Sequence, residues 1–241
     1  MGQARASYHH GNLRQALIEA ALALATRHGP ERVSVREAAR LAGVSSGAPF
    51  RHFPSRRALM TAVAEQATEH LQVEVRRSIR PRDRSGHQRL QALGRGYLRW
   101  AEAHPAHFRI VSARDQIDVA ASPGLQNGMQ AVRAMTEEAI ERAQSEATIA
   151  ASLDAGRLAL LARACCYGLA RMRLDGHLPQ WGVAEGEEAK ALDDALALLL
   201  ELMRAQPAPG TEPASSRPPE KPGLNAPSCS PESPRRRTAR P

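Results

Sequence analysis

Between Ser34 and Phe53 the chain reads SVREAARLAGVSSGAPFRHF, and within that run a helix must start, stop and start again. Ser34 followed three residues later by Glu37 is a capping-box signature, and the apolar positions after it recur at helical spacing. Gly43 is the residue best able to take the left-handed turn that ends a helix. Proline costs about 3 kcal/mol inside a helix, so Pro49 is tolerated only in a first turn, where the missing N–H has no intrahelical partner to lose. The spacing therefore predicts a short second helix, a tight AGVS turn, and a third helix capped by Ser45 or Ser46 that runs to about Phe53. Pro54 and Ser55 then break and recap the chain for a longer helix with Leu59, Val63, Ala67, Leu71 and Val75 on one side. Upstream, Leu13, Leu17, Ala20 and Leu24 mark a first helix that begins at Asn12 and ends in RHGPER.

Two short helices joined by a tight turn form a helix-turn-helix, whose second helix lies in the DNA major groove. The small residues Ser45, Ser46, Gly47 and Ala48 let that helix end approach DNA closely, where its unpaired N–H groups favour phosphate. An ordinary helical corner would use Ala39, Gly43 and Val44 equally well. Residues 1–71 carry nine Lys or Arg against five Asp or Glu, whereas residues 72–205 are almost balanced, 18 against 17; such an excess is what phosphate binding needs and is equally common on a solvated surface.

Apolar residues make up 42% of the 241, aromatics only 3%, and Ala and Leu dominate, which predicts an all-α protein. No run is long enough to span a bilayer and the N-terminus lacks a signal-peptide core, so a cytoplasmic protein is expected. The three cysteines, two of them adjacent at Cys165 and Cys166, make no disulfide framework. No P-loop, dinucleotide fingerprint, nucleophile elbow or zincin motif is present, so neither an enzyme nor a cofactor is expected.

The run from YHHGNLRQALIEAALALATRHG through SVREAARLAGVSSGAPFRHFPSRRALMTAVAEQ closely resembles the DNA-binding domain of TetR-type bacterial transcriptional regulators. Ala39, the Ala42-Gly43-Val44-Ser45 turn, Phe50, His52-Phe53 and Leu59 fall where that family's pattern has them. The resemblance implies a three-helix DNA-binding domain over 11–71, a helical effector-binding and dimerisation domain over 72–205, and a homodimer on a palindromic operator in double-stranded DNA. It further implies that a small-molecule effector, unknown here, releases the protein from DNA as a repressor. On that basis Ser34, Arg36, Ser45, Ser46, Gly47, Ala48, Phe50, Arg51, His52, Arg56 and Arg57 are the expected DNA-binding residues, with Arg51 reaching a base edge and Arg56 and Arg57 meeting phosphate. Where the family usually carries a tyrosine whose ring packs into the domain and whose hydroxyl meets phosphate, Phe50 would keep the packing and forgo the bond.

A weaker resemblance, in GRGYLRWAEAHPAHFRIV and CYGLARMRLDGHL, is to the TetR subgroup whose C-terminal domain is named for a Trp-His-Gly signature; here Arg163 and Tyr167 replace the first two residues and only Gly168 is kept. The family's last two helices form a four-helix dimer interface, a role that RLALLARACCYGLARMRL and ALDDALALLLELM fit. Tyr97, Trp100, Phe108, Met129, Cys165, Tyr167 and Met172 are candidates for an effector pocket, although residues of these types also fill helical cores routinely. His104 and His107 have metal-ligand spacing, but Pro105 between them marks a helix boundary and the bland reading is a surface turn. Cys165 and Cys166 could sense oxidants or serve as small hydrophobes. Residues 206–241, rich in Pro, Ser and Arg, have too few apolar groups to offset the entropy of ordering and are expected to be disordered. The rival function class is a helical ligand-binding protein without DNA activity.

Overall fold

A computed structural model describes residues 13–45 and 47–204. They form eight α-helices: α1 Leu13–His28, α2 Val35–Leu41, α3 Arg56–Ser78, α4 Gly86–Ala103, α5 Pro105–Ser112, α6 Pro123–Ser145, α7 Ala155–Leu174 and α8 Glu188–Leu202. Short 3-10 turns cover Pro30–Arg32, Ala48–Arg51 and Leu178–Trp181, and the only pairing of extended backbone among the described residues is an isolated bridge from Ile149 to Arg204. The fold class is all-α, as expected. The expected tail, the cap role of Ser46 and the Asn12 start of α1 lie outside the described residues.

Local chemistry accounts for the helix starts. The hydroxyls of Ser34, Ser55, Ser85 and Ser122 and the Asp154 carboxylate each accept a backbone N–H from the first turn of the helix they precede. At Ser34 the Glu37 carboxylate takes the serine hydroxyl, 2.9 Å away. The reciprocal capping box expected there is instead complete at Ser85 and Gln88.

One expectation is corrected. The third helix predicted from Ser45 or Ser46 to Phe53 is a 3-10 turn of four residues, Ala48–Arg51, preceded by a 3.2 Å bond from Ala48 N–H to the Ser45 carbonyl. Glycine at 47, proline at 49 and proline at 54 leave too few good helix formers in a row to repay α-helix nucleation, so the chain closes the tighter i to i+3 rings. Pro49 sits in the first turn as the sequence requires, and its carbonyl accepts from both His52 and Phe53 N–H at 2.9 and 2.8 Å.

The apolar stripe of α3 is buried along its whole length, and it serves two cores. Leu59, Val63 and Ala67 pack with Leu17 and Ile18 of α1, Ala38 and Ala39 of α2, and Ile110 and Ile117 from the α5 region. Leu71 and Val75 join Leu93 and Trp100 of α4, Ile140 of α6 and Leu196 of α8. α3 continues without a break past residue 71, so one rigid rod belongs both to the N-terminal helices and to the C-terminal bundle.

Candidate functional site

The corner between α2 and the 3-10 turn is set by backbone geometry. Gly43 has φ +72°, its N–H bonds the Arg40 carbonyl at 3.2 Å, and Val44 N–H bonds the Ala39 carbonyl at 3.0 Å. These two bonds make a Schellman ending, and a Cβ at Gly43 would meet strain although nothing crowds it. Ser34 half-covered, then Arg36, Arg40, Ser45, Gly47, Phe50, Arg51 and His52 exposed, lie on or around this corner. Among the described residues Arg36, Arg40 and Arg51 pair with no carboxylate, so their charges are free to meet an anionic partner.

Three expected DNA residues take other surroundings. Phe50 is 43% exposed, and the aromatic that packs into the domain is Phe53, at 2%. Pro49 and Phe53 fill the space beneath the turn, which leaves the Phe50 ring at the surface. Arg56 turns inward: Nε donates to the Val33 carbonyl at 2.8 Å, and Nη2 donates to the Pro30 carbonyl at 2.6 Å and to Gln116 Oε1 at 2.7 Å. Its donors hold the α1–α2 connection against α3, and so the phosphate contact expected of it gives way to a structural role. Arg57 is exposed but already donates to the Ile117 carbonyl at 3.1 Å. Arg40 was missed by the sequence reading, and its signal was its position four residues after Arg36 on one helix face.

The aromatic candidates for an effector pocket form a core. Ring centroids of Tyr97, Trp100 and Phe108 lie 6.0 to 6.5 Å apart, and Phe108 stacks on Tyr167 at 5.5 Å. Trp100 and Phe108 are buried; Cys165, Tyr167 and Met172 pack partly buried against the same cluster. A cavity of about 350 Å³ lies instead among α3, α5, α6 and α7, and of the expected residues only Met129 lines it. Its other lining residues include Thr68, Leu71, Val111, Arg114, Val132 and Arg163. Tyr97 borders a narrower space of about 50 Å³ next to it, and Val132, Thr136 and Arg163 line both.

The histidines differ from a plain surface turn. His70 of α3 joins His104 and His107, with ring centroids 4.5 and 5.7 Å from theirs, and all three are half-buried. Burial, reinforced by His104 and His70, holds His107 down to about 4, and burial with His70 also lowers His104. Among the described residues no group of three or more His, Cys, Asp or Glu side chains is placed to hold a metal ion. Burial pushes Cys166 up to about 12 and raises Cys165, so neither thiol presents the thiolate that oxidant sensing needs. No described helix is long and apolar enough to cross a membrane.

Comparison with known proteins agrees with this geometry. The family model for bacterial regulatory proteins, tetR family, matches residues 17–63, and the model for the tetracyclin repressor-like C-terminal domain matches residues 90–199, together more than half of the chain. A solved protein of unknown function from Rhodococcus sp. RHA1 is 28% identical, with a TM-score of 0.71 over 83% of this chain and 100% of that one. The ketosteroid transcriptional regulator KstR2 of Mycobacterium tuberculosis (20% identity, TM-score 0.58, 80% and 95% covered) shares the fold. So does a TetR family transcription regulator from Marinobacter aquaeolei VT8 (17%, 0.60, 80% and 96%). No curated protein matches the chain. Regulators of the tetR family are not enzymes. The chain belongs to the TetR family and is a DNA-binding transcriptional regulator.

Proposed function

We propose that this regulator is a cytoplasmic homodimeric repressor that binds a palindromic operator and leaves it when a small molecule enters the cavity of its C-terminal domain. The observation that carries the reading is α3. Its first turn fastens the α1–α2 connection, which leads into the DNA-reading helix pair, through Arg56, and about three to four turns later Thr68 and Leu71 line the 350 Å³ cavity. A ligand that prefers one setting of this rod shifts the population of head positions by its differential affinity for the two settings.

The proposed division is a DNA-binding domain over 11–71, an effector and dimerisation domain over 72–205 of the Trp-His-Gly type, and a tail over 206–241. Dimerisation is supported by the outer faces of α7 and α8. Leu161 is about half exposed, Leu198 is 61% and Leu202 77% exposed, and Gly168 has open space above it. Paired apolar faces of this kind mark an interface, and a two-fold dimer sets its heads about one DNA turn apart or a multiple of it. Arg51 is the proposed base reader, with Ser34, Arg36, Ser45, Ser46, Gly47, Ala48, Phe50, His52 and Arg57 at the backbone.

The test is selection of DNA fragments by the purified protein, compared with the promoter region beside its own gene, followed by exposure of the complex to a small-molecule extract of the source cells. Enrichment of an inverted repeat and release by the extract support the reading. A ligand-binding protein without DNA activity would select nothing above random duplex.

A further inference from the structure

Two arginines face the cavity without an acid to meet them. Arg114, after α5, has both terminal nitrogens 3.3 to 3.4 Å from Met129 Sδ, a thioether that accepts hydrogen bonds only weakly. Arg163 of α7 lies over the Tyr97 ring at 4.5 Å and the Tyr167 ring at 5.4 Å. Neither pairs with a carboxylate among the described residues, and no Asp or Glu lines the cavity. The third lining arginine, Arg133, differs in this respect because it is tied to Glu137 at 2.8 Å. Burial, reinforced by the charge on Arg163, lowers the proton affinity of Arg114, so the two guanidinium groups sense one another across the cavity wall.

An independent observation comes from α3, which also lines the cavity. Thr68 of α3 is only 1% exposed, and its hydroxyl has no hydrogen-bond partner. A buried hydroxyl left unpaired is costly, and in native proteins such a group points to a missing partner. Around these polar atoms the wall is aliphatic, with Leu71, Val111 and Val132.

We infer that the effector is an amphipathic carboxylate, its head held by Arg114, Arg163 and the Thr68 hydroxyl and its apolar body against Leu71, Val111 and Val132. The inference rests on the effector reading proposed above and narrows it to a ligand class. A carboxylate accepts from guanidinium forks and a hydroxyl at once, and its charge offsets that of two arginines close enough to act on one another. The cavity volume falls within the range of small-molecule sites, whose few polar groups fix orientation while apolar walls supply contact.

The experiment uses the full chain and a panel of linear carboxylates from octanoate to tetradecanoate, with phenyl-substituted acids, each beside the alcohol of the same skeleton. Binding is measured by calorimetry below the micellar concentration, and release from the selected DNA by gel shift. At least one acid should bind tenfold or more tightly than its alcohol. Arg114→Met and Arg163→Met should each weaken that acid roughly 10- to 100-fold, the range for a lost charge-assisted bond, and weaken the alcohol far less, so that the preference for acid over alcohol falls. Arg163→Lys, which keeps the charge, should recover part of the loss. Because Arg163 also stacks on two tyrosines, Thr68→Val provides a variant that cannot fail for want of packing. It removes an unpaired hydroxyl at equal volume, so the ligand-free melting temperature should hold or rise while acid affinity falls several-fold.

Acid and alcohol binding alike, or arginine variants that bind the acid as wild type does, would overturn the inference. If no panel member binds while cell extract still releases the DNA, the carboxylate inference fails and the effector reading stands. If the acid binds with the expected arginine dependence but neither it nor the extract releases DNA, the site assignment stands and the effector reading fails.

Discussion

Arg56 Nη2 lies 2.7 Å from Oε1 of Gln116, so a residue that opens α3 is fastened to the loop between α5 and α6. The same guanidinium holds the Pro30 and Val33 carbonyls at 2.6 and 2.8 Å. One side chain thereby joins the α1–α2 connection, the start of α3 and the loop that follows α5.

The first prediction follows from those bonds. Arg56→Ala leaves two backbone carbonyls and an amide without their partner in a partly buried place, a loss of about 1 to 3 kcal/mol. The melting temperature should fall, and the salt dependence of DNA binding by the folded fraction should match wild type, because this guanidinium does not face phosphate. A salt slope flattened by about one unit with unchanged stability would return Arg56 to the DNA surface.

Arg51 should behave differently. It is exposed, without a carboxylate partner among the described residues, and on the 3-10 turn that follows the corner. Arg51→Ala should lower the preference for the selected operator over random duplex by about 1 to 3 kcal/mol while leaving the melting temperature unchanged. Titrating both duplexes at one salt concentration checks this, and equal loss on the two would assign Arg51 to the backbone.

Phe50 supplies a gain-of-affinity counterpart. Its ring is 43% exposed, so a hydroxyl added at its tip reaches solvent or phosphate without displacing core. Phe50→Tyr should tighten operator and random DNA by similar factors, since a bond to a charged acceptor is worth about 1.5 to 3 kcal/mol less what water already supplied. Unchanged affinity in the same titration would place Phe50 away from the backbone.

What the sequence made legible was whatever depends on near neighbours. The α3 stripe from Leu59 to Val75, the left-handed turn at Gly43 and the first-turn place of Pro49 all follow from spacing and backbone freedom, and the structure has each of them. Residues that meet only in space were not legible. The inward turn of Arg56 depends on Gln116, sixty positions away. The cavity wall joins Thr68, Arg114 and Arg163 from three separate segments; Thr68 and Arg114 do not stand out when read along the chain, and Arg163 stands out only as a departure from a signature, not as a cavity residue. Aromatics drew attention because they are few, yet their size is what makes them core here. The α-helical reading of 45–53 failed for a finer reason: cap and proline rules locate a helix start but do not decide between α and 3-10 pitch in so short a run.

The histidine cluster gives a pH prediction. His107 titrates at about 4 in the folded chain, below its ordinary 6.5, because burial and then His104 and His70 disfavour its charge. Glu74 faces His104 from α3 and acts in the opposite sense. The unfolded chain therefore binds a proton between pH 6.5 and 4 that the folded chain refuses, so stability is full above about 6.5, declines as pH falls, and levels off below about 4. For a group about half buried, screening reduces the effect to about 1 to 2 kcal/mol. His107→Gln should flatten this decline. Melting temperatures of both proteins at pH 7.5 and pH 5, at one ionic strength, check it, and parallel curves would show that the decline arises elsewhere.

The outer faces of α7 and α8 give the last prediction. Leu198, 61% exposed, is not covered by the other described residues, and in a two-fold interface it would be buried twice, once from each copy. Burying a leucine contributes about 1.5 to 3 kcal/mol, so Leu198→Glu loses that twice over and places two like charges near the axis. The variant should remain folded, since the side chain contributes little to its own core, but should sediment as a monomer at concentrations where wild type is a dimer. Operator binding should then fall to the affinity of a single head, while weak binding to random duplex changes little. Gly168→Leu provides a second route to the same end. No atom lies within 4 Å of the position where its Cβ would start, so the single chain can accept the side chain, but a partner helix approaching closely cannot. If both variants stay dimeric by analytical ultracentrifugation, the two-fold contact is made by another face, and the exposed leucines of α7 and α8 need a different partner.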